Sequence, residues 1–139
     1  MRIEGILETA LYVADVQRAA DFYRRLFGFP TLLESERLIA LNVAGRSVLL
    51  LFQAGGTSEP FAVPGGGGVI PPHGGSPGGY HFAFAIAAED VEPWRARLES
   101  EGVPVESVVT WPTGAISVYF RDPDDNLAEL ITGGFWKMD

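Results

Sequence analysis

One stretch constrains the fold more than any other. Between residues 54 and 79 the chain carries ten Gly and five Pro in 26 positions, including Gly65-Gly66-Gly67-Gly68 and Pro71-Pro72. Pro removes a backbone donor and Gly costs backbone entropy, so no regular helix or central strand runs through it. It reads as a long connection, and such loops in compact domains are usually linkers or functional lids. It divides the chain into two patterned halves of about equal length. At 139 residues, these suit one compact domain or two small modules sharing a core.

The first half opens with an apolar, β-rich run, Ile6–Val13, read as a strand. Asp15 is a candidate N-cap. Val16, Ala19, Ala20, Phe22, Tyr23, Leu26 and Phe27 then recur at helical spacing over residues 16–27, and Gly28 is a good stop. Thr31–Glu34, Leu38–Val43 and Ser47–Gln53 read as strands, with a turn at Ala44-Gly45-Arg46. The second half repeats the order. His81–Ile86 is a strand, Asp90 a candidate cap, 91–101 a helix that tolerates Pro93 in its first turn, and Gly102 its stop. Val105–Thr110, Ile116–Phe120 and Leu127–Ile131 follow as strands. Both halves are β-α-β-β-β. The offset that carries Leu11 onto Phe84 also carries Glu8 onto His81.

One helix cannot cover both faces of a four-stranded sheet. Two modules can pair their sheets into a cupped shell with the helices outside and a cavity within. The expected fold class is α+β, two paired βαβββ modules forming a cupped mixed sheet around a central cavity. Along each strand side chains alternate, so an inward polar residue stands out against apolar neighbours.

Three residues do so: Glu8, His81 and Glu129. Each has an ordinary reading. Glu8 could be a strand end in water, His81 a hydrogen-bonded core histidine, and Glu129 a partner of Arg121. Together they could make a three-point site for one divalent ion. Oxygen and nitrogen donors suit Mn, Fe, Co, Ni or Zn, and three protein ligands leave positions open for water or substrate. Glu8 or Glu129 could also serve as a base.

Composition narrows the partners. The net charge of −8, with Lys137 the only lysine, disfavours nucleic acid. No apolar run is long enough to span a bilayer, and no signal peptide precedes the first strand, so the expectation is a cytoplasmic protein with no membrane partner. The absence of cysteine excludes disulfides, thiolate metal sites and a Cys nucleophile.

Leu11-Tyr12-Val13-Ala14-Asp15, the Phe22-Tyr23…Gly28-Phe29 helix and the segment from Tyr119-Phe120-Arg121-Asp122-Pro123 through Asn126 to Glu129-Leu130 resemble the vicinal oxygen chelate superfamily. That group includes glyoxalase I, fosfomycin-resistance proteins, bleomycin-binding proteins and extradiol dioxygenases. The resemblance implies a single glyoxalase-like domain over 1–139, with module one at about 5–54, a linker at 55–79 and module two at about 80–134. It implies metal ligands from the first and fourth strands of each module, which fall at Glu8, His81 and Glu129. The fourth position falls at about Leu50, which cannot ligate. It also implies a homodimer.

The remaining candidates are expectations of the residues themselves. His73, in Pro71-Pro72-His73-Gly74, is the only other histidine and a candidate lid residue acting as acid, base or substrate ligand. Trp111, Tyr119 and Phe84 are candidates to bind substrate, and Phe135-Trp136 to cover the site or a dimer contact. The acidic turn Asp122–Asn126 lacks an EF-hand pattern and reads as turn chemistry. Two functions follow. One is a divalent-metal-dependent lyase, isomerase or oxygenase acting on a small substrate with vicinal oxygens. The other is a metal-free small-molecule binder of the bleomycin-resistance type, to which the acidic charge would draw a cationic ligand.

Overall fold

The expected helix of the first half forms because both its ends are fixed by local chemistry. The structure, a computed structural model, describes residues 1–138. β1 (Glu8–Val13) leads into α1 (Val16–Phe27). The Asp15 carboxylate accepts from the backbone N–H groups of Gln17 and Arg18, at 3.0 and 3.1 Å. Gly28 takes the left-handed conformation, φ 69°, and its N–H reaches the Arg24 carbonyl at 2.8 Å. Between the caps, Val16, Ala19, Ala20, Phe22, Tyr23 and Leu26 are buried on one face.

β2 (Thr31–Glu34), β3 (Leu38–Val43) and β4 (Ser47–Gln53) complete a sheet in the order β1-β4-β3-β2. β1 runs parallel to β4 and the other pairs are antiparallel. Leu11, Val13, Ile39, Leu41, Leu49 and Leu51 share one buried face. The opposite face carries Glu8, Ala10 and Tyr12 beside Val48, Leu50 and Phe52.

The Gly/Pro-rich stretch is more ordered than its composition suggests. The chain divides between Gly78 and Gly79 into two compact units, so the stretch belongs almost wholly to the first. β5 (Phe61–Ala62) and β6 (Val69–Ile70) pair as a small antiparallel hairpin. Two-residue strands fit between the prolines, and Gly65 and Gly66 supply the positive φ angles, 90° and 78°, that the tip requires. Thr57 is buried at 1 % exposure. Its carbonyl accepts from the His73 N–H at 2.9 Å, and its hydroxyl donates to the His73 carbonyl at 2.5 Å.

The second unit is built the same way. β7 (His81–Ile86), α2 (Val91–Ser100), β8 (Ser107–Thr110), β9 (Ile116–Arg121) and β10 (Leu127–Thr132) form a sheet in the order β7-β10-β9-β8, with β7 parallel to β10. Its core gathers Leu98, Val118, Phe120, Ala128 and Leu130. One expectation is corrected here. Asp90 does not cap α2. A 3₁₀ turn over Ala88–Asp90 leads into the helix, Asp90 already has helical dihedrals, and its side chain makes no cap bond. The acidic turn before β10 is shaped as expected. The Asp122 carboxylate accepts from the N–H groups of Asp124 and Asn126 and from the Asn126 side-chain amide, each at 2.9 Å. Among the described residues no helix is long and apolar enough to cross a membrane.

Registers within the two sheets match position for position. Glu8 pairs with Val48 and Ala10 with Leu50, while His81 pairs with Leu127 and Ala83 with Glu129. Leu50 therefore holds in the first sheet the place that Glu129 holds in the second.

Candidate metal centre

Strand alternation assembles the site in the second unit. His81 and Ala83 of β7, Glu129 and Ile131 of β10, and Ser117 and Tyr119 of β9 share one face. Val118, Phe120, Ala128 and Leu130 occupy the other, in the core. His81 Nε2 and Glu129 Oε1 stand 3.4 Å apart.

Each of these groups is held from behind. His81 Nδ1 lies 2.8 Å from the Leu127 carbonyl. A carbonyl only accepts, so Nδ1 carries a proton, and Nε2 is the ring nitrogen turned toward Glu129. Glu129 is 5 % exposed. Its Oε2 accepts from the Ser117 hydroxyl at 2.8 Å, and Ser117 in turn accepts from the Trp111 indole N–H at 2.8 Å. Arg121 does not neutralise Glu129; it pairs with Glu106 at 3.0 Å. The Tyr119 phenol is held above its ordinary range, first by burial; the Ser117 hydrogen bond, the next largest influence, pulls it down, and the Glu129 charge and hydrogen bond add to the rise. Tyr119 is therefore a neutral hydroxyl beside the carboxylate at physiological pH.

This donor set fits a divalent ion. Two ligands bound at about 2.0–2.2 Å, subtending about 90–110° at one ion, stand about 3.0–3.5 Å apart. Histidine ligands ordinarily donate their second ring N–H to a carbonyl, as His81 does, and a ligating carboxylate is itself hydrogen-bonded, as Glu129 is. Among the described residues of this unit no third Asp, Glu or His joins the pair.

The pair opens onto a cavity of about 330 Å³. Ala83, Trp111, Tyr119, Ile131, Phe135 and Trp136 line it with His81 and Glu129. Trp111 and Phe135 rings lie 4.6 Å apart, and Phe135 and Trp136 4.8 Å. Phe84 is not part of this lining. It lies on the other face of β7, one residue out of phase with Ala83, and meets Phe82 edge-on at 5.3 Å.

The other expected residues lie in the first unit. Glu8 is exposed at the start of β1, in the place His81 holds in β7. His73 is fixed onto its own sheet. The Tyr12 hydroxyl is 2.8 Å from His73 Nδ1, and the Phe52 ring meets the imidazole edge-on at 4.8 Å. Sequence reasoning missed Tyr12 and Ser117. Both were legible in phase: Tyr12 shares the face of Glu8, and Ser117 that of Tyr119.

Comparison with known proteins agrees with this architecture. The model of the Glyoxalase/Bleomycin resistance protein/Dioxygenase superfamily matches residues 5–130, and the chain belongs to that superfamily. The crystal structure of a lactoylglutathione lyase from Agrobacterium tumefaciens is 36% identical, with a TM-score of 0.87, over 99% of this chain and 100% of that one. The fosfomycin resistance protein FosX from Listeria monocytogenes, solved with Mn(II) and sulfate, is 21% identical, with a TM-score of 0.70, over 96% of this chain and 94% of that one. That likeness concerns the fold alone. The glutathione transferase FosA of Serratia marcescens is 41% identical over 56 residues, 38% of this chain and 36% of that protein, so the match spans about a third of that relative's length.

Proposed function

We propose that this chain is a divalent-metal-dependent enzyme of the superfamily, a lyase, isomerase or oxygenase acting on a small substrate with vicinal oxygens. The observation that carries the reading is the His81–Glu129 pair, 3.4 Å apart, with Nδ1 of the one and Oε2 of the other already engaged. A divalent ion bound there supplies Lewis acidity, polarising substrate oxygens and stabilising charge that develops on them.

The protein groups have separable tasks. The Leu127 carbonyl fixes the His81 tautomer, and Ser117 engages Glu129 Oε2, which leaves Oε1, beside His81 Nε2, as the oxygen that would hold a divalent ion. Glu129, once released from such an ion, is a candidate base, as is Glu8. Tyr119, kept protonated, offers a hydroxyl to a substrate oxygen. Trp111 and Tyr119 form part of the wall on which a substrate rests. His73 is a second candidate acid–base or substrate group, pre-oriented by Tyr12. Glu8 is a candidate third donor because of its place in β1. The lactoylglutathione lyase and glutathione transferase similarities support testing thiol adducts of α-ketoaldehydes first.

Metal analysis of the purified protein tests the reading. The expected result is near-stoichiometric Mn, Fe, Co, Ni or Zn in the wild type, lost in His81→Ala and Glu129→Gln. A drop in Glu8→Gln would assign Glu8 to the donor set. A wild type that carries no metal and binds none on titration would contradict the proposal. Saturable binding of bleomycin that survives chelation would then favour the small-molecule binder, a reading supported by the aromatic wall of the cavity.

A further inference from the structure

The aromatic side of the cavity says more about the substrate than the metal pair does. We infer that Phe135 and Trp136, together with Trp111, are specificity-determining residues that select a substrate bearing a flat aromatic group, uncharged or cationic, beside its vicinal oxygens. The inference rests on the metal reading above for the placement of those oxygens.

Three observations carry it. First, four of the eight residues lining the cavity, Trp111, Tyr119, Phe135 and Trp136, are aromatic and two are metal-type ligands, so its wall offers π-faces and ring edges. The Trp111 N–H is already committed to Ser117, which leaves that ring to act through its surface. Second, Trp136 is 71 % exposed although its ring lines the cavity and its neighbour Phe135 bridges it to Trp111. A large apolar ring held at a cavity mouth is a surface for a flat group to cover. A cavity of about 150 Å³ is enough for benzene, so about 330 Å³ holds a ring and a chelating head together.

Third, the charge is wrong for an anionic tail. Among the described residues no Arg or Lys lines the cavity, and the ionisable residues that do are Glu129, His81 and Tyr119. Carboxylates and phosphonates are ordinarily gripped by Arg or Lys. Aromatic faces instead favour another ring or a cation.

Two probes with the same metal-chelating head separate the wall from the metal: benzohydroxamic acid and acetohydroxamic acid. Binding is read by quenching of tryptophan fluorescence in protein loaded with Mn²⁺. The phenyl compound is expected to bind about tenfold or more tightly, the gain from burying a ring in place of a methyl group. Phe135→Ala and Trp136→Ala should reduce that preference to about threefold or less at unchanged metal content. Trp111 remains as the reporter, and the exposure of Trp136 keeps its replacement from disturbing the core. His81→Ala should weaken both probes together. Equal affinities of the two probes in metal-bearing wild type would overturn the inference. If the protein takes up no metal, saturable quenching by benzohydroxamic acid in EDTA, lost in Trp136→Ala, would support the wall while the enzymatic reading falls. No quenching under either condition would overturn the inference as well.

Discussion

The two units share one architecture and differ in what they place on the open faces of their sheets. In the second, the parallel pair β7 and β10 presents His81 and Glu129 on one face. In the first, the equivalent pair β1 and β4 presents Glu8 and Leu50. One substitution of kind, a leucine for a carboxylate, removes the possibility of a matching two-donor set there. The first unit instead carries a Tyr12–His73 contact, in which the histidine comes from a loop pinned by Thr57. A repeated fold thus fixes where side chains can project without fixing the chemistry they carry.

The largest effects should separate the units by metal. His81→Ala and Glu129→Gln are expected to abolish stoichiometric metal binding, measured by titration with Mn²⁺ and elemental analysis. Tyr12→Phe should leave it intact, so equal losses in all three would erase the distinction. Ser117→Ala comes next. It removes the hydroxyl that orients Glu129, a loss that typically lowers metal affinity about 10–100-fold. An unchanged dissociation constant would show that Ser117 is not a positioning residue.

A smaller contrast lies at the helix starts. Asp15→Ala deletes a real N-cap and should cost about 1 kcal/mol. Asp90→Ala deletes no cap bond, and its cost should stay within about 0.5 kcal/mol. Urea unfolding of the two variants checks this, and equal destabilisation would contradict it. Tyr12→Phe should cost about 0.5–1.5 kcal/mol through the lost hydrogen bond to His73.

The smallest effect is one of pH. The folded state keeps the Tyr119 proton after an unfolded tyrosine would have lost it. Its contribution to stability is therefore present below about pH 10 and is lost as pH rises from there through the raised value. Ultraviolet titration should show Tyr119 ionising late. Glu129→Gln should bring it earlier and Ser117→Ala later still, and the reverse order would contradict the assigned causes.

Much of this was legible in the sequence because local chemistry decided it. Thr31–Glu34, Leu38–Val43, Ser47–Gln53 and His81–Ile86 begin and end where their patterns do. Asp15 and Gly28 bound α1 because a carboxylate and a residue tolerant of positive φ have few other uses there. Asp90 failed as a cap because the chain had already turned helical at Ala88, a matter of backbone path that residue type does not reveal. The hairpin of Phe61–Ala62 with Val69–Ile70 was hidden by its length, since two-residue strands leave no periodicity. In the second unit, His81, Glu129, Trp111 and Tyr119 come together because all but Trp111 are in phase on adjacent strands. Phe84 is one residue out of that phase. The Ser117 and Tyr12 contacts depend on partners distant in sequence, and a lone polar residue in a strand does not announce its partner.

We propose that His81 Nε2, and not His73, is a metal donor. The two histidines make this directly visible by nitrogen-15 NMR, with His73→Gln assigning the signals. In metal-free protein, His81 should be protonated at Nδ1. One equivalent of Zn²⁺ should then shift His81 Nε2 to a metal-bound position and leave His73 unmoved. A His81 ring whose Nδ1 lacks the proton in the metal-free protein, or a response to Zn²⁺ confined to His73, would contradict that assignment.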